Sequence, residues 1–309
     1  MKHPIDPKVD CVFKAILGAE ENSNLLIHFL NAVLAPALAE PIVWVEILNP
    51  YNEKEFITDK LSVVDVKARD RQERQFQVEV QIKSYPHLRR RIAYAWCDLH
   101  AAQLQAGDDY LKLRPTYSVW LLAQRLFQGD ERHARDFRLR DAQGGALGDE
   151  GGIWILELPK FRADRIETPE QHWLKFFKDG GGLDDKALPD WMQTPEMRQA
   201  MSVLKRFSEK ERDYHLYQAR MNYLREQSAI RGDFEELEEN LAEARRLAAQ
   251  ERMAKEQALA AKEQERTAKE QERIAKEQAL AAKEQALVAK EAALAEIERL
   301  KTLLADKKP

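Results

Sequence analysis

Two acidic side chains on neighbouring extended runs are the residues of this chain best placed to do chemistry. The first run is Ser62-Val-Val-Asp65-Val-Lys67-Ala-Arg69, and the second is Gln75-Phe-Gln-Val-Glu79-Val-Gln81-Ile-Lys83. Both alternate apolar and polar residues, which predicts half-buried strands. The link, Asp70-Arg71-Gln72-Glu73-Arg74, is short and polar, so the pair reads as an antiparallel hairpin. Successive strand side chains point to opposite faces, so Asp65 shares a face with Lys67, and Glu79 with Gln81 and Lys83. If pairing makes these faces coincide, two carboxylates meet beside an amide and one or two ammonium groups. Such a cluster can hold a hard divalent cation and polarise water against a phosphate. A solvated charged face, common in antiparallel sheets, accounts for the same pattern without chemistry.

The elements around the hairpin are mixed. Residues 24–38 suit an amphipathic helix, and 42–48 read as a strand. Residues 87–105 are expected to be helical, and 117–123, apolar almost throughout, to be a buried strand. Residues 137–140 and 153–158 look like an added hairpin turning through the glycines between 144 and 152. From Pro169 onward the pattern is helical, interrupted by Gly180-Gly-Gly182 and Pro189. The expected order is helix, three strands, helix, strand, hairpin and helices, an α/β arrangement.

The composition then changes abruptly. Gly232 is the last glycine, and every Trp and every Pro but Pro309 precedes Ile230. Beyond that point a seven-residue unit repeats, as in Ala261-Lys-Glu-Gln-Glu-Arg-Thr267 and Ala268-Lys-Glu-Gln-Glu-Arg-Ile274. Strong helix formers and Glu-to-Lys pairs four apart predict one long helix. Leu259, Leu280, Leu287 and Leu294 recur at one heptad position, but Arg266 and Arg273 interrupt it. The segment therefore reads as a weak coiled coil or a solvated single helix. The domain expectation is 1–230 for the mixed part and 231–309 for the heptad arm.

Bulk properties exclude some classes. At 309 residues the chain suits about two units. A formal net charge of −4 shows no global basic field for nucleic acid, although local patches remain. Cys11 and Cys97 are too few for a disulfide scaffold and lack metal-ligand spacing. The first residues lack the apolar core of a signal peptide, and no run reaches the roughly 20 apolar residues of a membrane span. A soluble, cytoplasmic protein without a membrane partner is expected. Cys97 and His100, a helical pair without further ligands, are expected to pack in the core.

Several short motifs fall in a fixed order: Pro7-Lys-Val-Asp10-Cys-Val-Phe13-Lys14, Glu21-Asn22, Ile47-Leu-Asn49-Pro50, Asp59-Lys60-Leu-Ser-Val-Val-Asp65-Val-Lys67-Ala, Val78-Glu79-Val-Gln81, Gly107-Asp-Asp-Tyr110, Leu113-Arg-Pro115, Glu157-Leu-Pro-Lys160-Phe and Tyr217-Gln-Ala-Arg220. Over roughly residues 5–230 the chain thereby resembles the Rpn family of recombination-promoting nucleases and transposases, in the PD-(D/E)XK nuclease superfamily. The resemblance implies a restriction-endonuclease-like core, a mixed sheet flanked by helices, here followed by a long C-terminal helix or coiled coil. It implies a metal-dependent DNA endonuclease that promotes recombination. Asp65 and Glu79 match the signature carboxylates, and with the Val80 carbonyl would hold Mg²⁺ or another divalent cation. Gln81 stands where the superfamily has lysine, which leaves the lysine's charge to Lys83 or Lys67. Lys67, Arg89, Arg90 and Arg91 are candidates for contacting DNA. Glu21 is a further acid that reads more simply as a helix-start charge. A homo-oligomer through the C-terminal helix would bring two sites to one duplex. The competing reading is a non-catalytic interaction protein that uses a degenerate nuclease fold and a coiled-coil arm.

Overall fold

A computed structural model describes residues 1–48 and 65–305 of the chain. The expected features at Asn49-Pro50 and 59–64, including the first residues of the predicted hairpin strand, lie outside the described residues. The chain divides into two compact units, Met1–Glu226 and Gln227–Pro309.

The first unit opens with two helices, α1 (Asp10–Leu17) and α2 (Ser23–Leu34). A meander follows: β1 (Val45–Leu48), β2 (Val66–Asp70) and β3 (Gln75–Gln81). Helix α3 (Leu88–Ala101) crosses over to β4 (Thr116–Leu122), which lies parallel to β3. Strands β5 (Ala134–Phe137) and β6 (Gly151–Glu157) come next, then α4 (Pro169–Asp179), α5 (Pro195–Glu209) and the start of α6 (Glu211–Ala305). The six strands form one mixed sheet in the order β1-β2-β3-β4-β6-β5.

The expected hairpin forms between β5 and β6, but its first strand ends at Phe137 instead of spanning 137–140, and the pair is an integral part of the main sheet, not an addition to it. β6 pairs parallel with β4, and β5 pairs antiparallel at the far edge. The run Trp154-Ile155-Leu156 is buried on both faces, as a central strand's side chains must be. Its entry is glycine because the turn admits nothing else. Gly151 has φ +76°, and a Cβ there would lie 2.2 Å from the Thr116 carbonyl oxygen. Gly151→Ala is therefore expected to destabilise the fold by about 2 kcal/mol or more, which a urea titration would measure. A wild-type midpoint would show that the turn relaxes freely.

Side-chain parity divides the core. Ala68, Phe76, Val78, Tyr117, Val119, Leu121, Trp154 and Leu156 join the large cluster with the buried sides of α1, α2, α4 and α5. Residues of opposite parity, Trp120, Leu122 and Ile155, join Leu88, Ile92 and Ala95 of α3 in a smaller cluster. Glu79, of that second parity, therefore lies on the α3 side of the sheet.

The β2–β3 turn sets the register. Buried Asp70 accepts the backbone N–H groups of Gln72 (2.9 Å) and Arg74 (3.0 Å), and its carboxylate pairs with Arg74 at 2.6 Å. Val66 then opposes Val78, and Lys67 opposes Gln77.

In the second unit the chain is helical to Ala305. Leu259, Leu280, Leu287 and Leu294 are exposed there. The predicted Glu-to-Lys pairs form, Glu265 with Lys269 and Glu272 with Lys276, each at 2.7 Å. No described helix is long and apolar enough to cross a membrane.

Candidate active site

The β2–β3 pairing ends at Val66–Val78, and the next residues, Asp65 and Glu79, are close enough for the Asp65 charge to act on Glu79, so the two carboxylates meet as predicted. Asp65 sits in a bend at the mouth of β2, and its Oδ2 accepts the backbone N–H of Val80 at 3.0 Å. A strand residue's N–H and C=O point to the same edge. The Val80 carbonyl therefore faces the edge where the Asp65 carboxylate lies. Glu79 is almost wholly buried beneath α3.

Burial governs the electrostatics of the pair. It raises the Asp65 carboxyl above its ordinary value, against the opposing pull of the Val80 N–H and Lys14. It raises Glu79 further, to about 8, with help from the adjacent Asp65 charge. Low dielectric penalises each anion, and two anions side by side penalise each other. A pair that resists carrying two uncompensated charges is suited to a cation.

Two side-chain cations flank the carboxylates. Lys14 on α1 lies 3.7 Å from Asp65 Oδ1. Arg91 on α3 lies 3.8 Å from Glu79 Oε2. It also donates to the Tyr85 hydroxyl at 2.8 Å and to Gln81 Oε1 at 3.4 Å. The spacing of residues gave Lys14 no role. Only its place in the Pro7–Lys14 motif hinted at one, because helix periodicity does not say which sheet a helix will cover. Asp10, a turn earlier on α1, is close enough to add to the upward shift of Asp65 and is itself paired with Arg220 at 2.8 Å.

The other expected residues are distributed unevenly. Gln81 ends β3, and its amide donates to the Lys83 carbonyl at 2.7 Å. Lys83 lies in a bend beyond the strand, so strand alternation does not place it on the Glu79 face as expected. Lys67 shares the face opposite Gln77 and borders a polar groove with Arg69, Gln103, Lys112 and Arg114. The Arg89 guanidinium is engaged elsewhere, with the Leu126 carbonyl at 2.8 Å and over the Phe127 ring. Arg90 is exposed on the first turn of α3. Glu21 is exposed and faces Arg206 at 3.9 Å. Cys97 is exposed, against the core packing expected of it, whereas His100 is bonded to Thr116 Oγ1 at 2.9 Å.

A family model described as PD-(D/E)XK nuclease family transposase matches residues 7–232. The chain belongs to this family. The match covers the whole sheet and all the helices packed on it, which accords with the mixed α/β core. No curated protein and no solved structure matches the chain. Divalent cations are general in PD-(D/E)XK nucleases, and the residues present fit one. Mg²⁺ takes oxygen ligands from one or two carboxylates and completes its shell with water and substrate. Among the described residues no group of three or more His, Cys, Asp or Glu is gathered for a metal.

Proposed function

We propose that the protein is a divalent-cation-dependent DNA endonuclease that promotes recombination, hydrolysing a phosphodiester at Asp65 and Glu79. The observation that carries this reading is the buried pair itself, brought together at the end of the β2–β3 pairing and tied through the Val80 N–H. Asp65, Glu79 and the Val80 carbonyl would hold Mg²⁺. When bound there, the cation neutralises charge on the scissile phosphate and acidifies a water. The chain's own residues do the rest. Burial beneath α3 excludes bulk water from Glu79 and strengthens each charge interaction. Lys14 offsets Asp65. Arg90, Lys83 and Lys67 would contact backbone phosphates, contacts that are sequence-independent and salt-sensitive. Arg89, bonded within the fold, is left out of that set. Two free cysteines suit a reducing, cytoplasmic setting.

The test is nicking of supercoiled plasmid by the purified chain with Mg²⁺ and with EDTA. Cleavage confined to Mg²⁺ supports the reading. No cleavage with any divalent cation would leave the fold as a binding platform.

We also propose that residues 1–230 form the nuclease part and that the heptad arm, 231–309, associates two copies so that both strands of a duplex can be cut. The exposed leucines at heptad spacing support this. Truncation after Ile230 is expected to lower the mass in light scattering while preserving cleavage of short DNA. An unchanged mass would remove the arm's role in association, and an unfolded product would move the domain border.

A further inference from the structure

In the superfamily that the chain resembles, a lysine two residues after the second carboxylate would bring a fixed positive charge to the phosphate, and here that position is Gln81. Both ends of the Gln81 amide are already engaged, Nε2 with the Lys83 carbonyl and Oε1 with Arg91. Lys83 lies past the end of β3. Lys67 is two residues along β2 from Asp65, which is roughly 6–7 Å along a strand.

We infer that Arg91, reaching in from α3, supplies the charge that a strand lysine would otherwise bring to the scissile phosphate. The inference rests on the nuclease reading above. Three elements hold the guanidinium: Tyr85 from the β3–α3 connection at 2.8 Å, Gln81 from the end of β3 at 3.4 Å, and the Trp120 ring of β4 at 5.7 Å. It stands 3.8 Å from Glu79 Oε2. The side chain is 44 % exposed, whereas the Glu79 side chain beneath it is 5 % exposed. One edge is thus anchored at the carboxylate while the other is open to a ligand. A guanidinium has five N–H donors in a planar fork, enough to keep these anchors and still bind a phosphate oxygen.

The charge matters at the bond change. A water oxygen bonds to phosphorus as the bond from phosphorus to a deoxyribose oxygen breaks. One water proton ends on the departing oxygen as a hydroxyl, and the other leaves the new phosphate monoester. Negative charge accumulates on the non-bridging oxygens during this exchange, so a preorganised donor there stabilises the transition state more than the ground state. Gln81 then becomes a positioning residue, because its carbonyl oxygen helps hold Arg91.

The test compares wild type, R91A, R91K and the double variant R91A/Q81K. Three quantities are measured: single-turnover cleavage at saturating DNA and Mg²⁺, Mn²⁺ affinity by calorimetry without DNA, and DNA affinity in Ca²⁺. R91A is expected to cleave about 100-fold more slowly. Its Mn²⁺ affinity should be unchanged or tighter, because a cation competing for Glu79 is gone. R91K should fall between R91A and wild type. R91A/Q81K should regain much of the lost rate, since a lysine at the end of β3 restores the charge. Three results would each overturn the inference: R91A cleaving within a few-fold of wild type, R91A losing Mn²⁺ affinity in step with rate, or no gain from adding Q81K. A folded wild-type protein that does not cleave, while D65N binds Mn²⁺ equally well, would overturn the nuclease reading and this inference with it.

Discussion

Asp65→Asn and Glu79→Gln are each expected to lower cation-dependent cleavage by on the order of 10³-fold while leaving the fold intact. Each exchange keeps the side chain's shape and removes one anionic ligand. Asparagine at position 65 can still accept the Val80 N–H that Asp65 accepts at 3.0 Å, so the strand mouth should keep its geometry. The loss should appear in the single-turnover rate and in Mn²⁺ affinity together. That separates it from the Arg91 variants, where rate alone should fall. Full cleavage by either folded variant would remove that carboxylate from the site.

The second large effect is on stability, and its sign follows from burial. Glu79 is raised to about 8, mainly by desolvation and then by Asp65, from an ordinary carboxyl value of 4.5. The folded state therefore binds a proton that the unfolded chain has released across that window. A raised native value contributes stability at low pH that is lost as pH rises through it. Without divalent cations, wild-type stability relative to Glu79→Gln should fall between pH 4.5 and pH 8. By about pH 9 the variant should be the more stable protein by a few kcal/mol. Urea denaturation of both proteins in EDTA at acid and alkaline pH would measure the gap. Equal gaps at the two ends would show that Glu79 ionises normally in the folded state. Divalent cations displace that proton, so their stabilisation of the wild type should grow as pH rises.

How far this site was legible in the sequence depended on the interaction concerned. Alternation marked 66–70 and 75–81 as strands but left their register open, because β3 is buried on both faces and only β2 keeps a wetter side. The Asp70–Arg74 turn fixed that register, which ends at the Val66–Val78 pair beside Asp65 and Glu79. Arg91 was visible only as one member of a basic run, and Lys14 only as one letter of a motif. Periodicity assigns a residue to a face of its own helix and leaves open what that face meets. Lys83 went astray because alternation was carried past Gln81 into Ser84-Tyr85-Pro86, where the backbone turns toward α3. The glycines from 144 to 152 do lie in the connection of an antiparallel pair, but they gave no sign that its second strand would also pair with β4. The continuous apolar run after them was the better guide, because only a strand covered on both sides buries Trp154, Ile155 and Leu156 together. The C-terminal helix was the easiest element to read, since strong helix formers without Gly or Pro admit few other conformations.

The central claim is that one divalent cation binds between the mouth of β2 and the end of β3. Anomalous scattering from a crystal of the full chain soaked in Mn²⁺ tests it most directly. One peak is expected within coordination distance of the Asp65 and Glu79 carboxylates and the Val80 carbonyl, and no such peak in Asp65→Asn. A cation bound at other residues, with cleavage that tracks that second site, would contradict it.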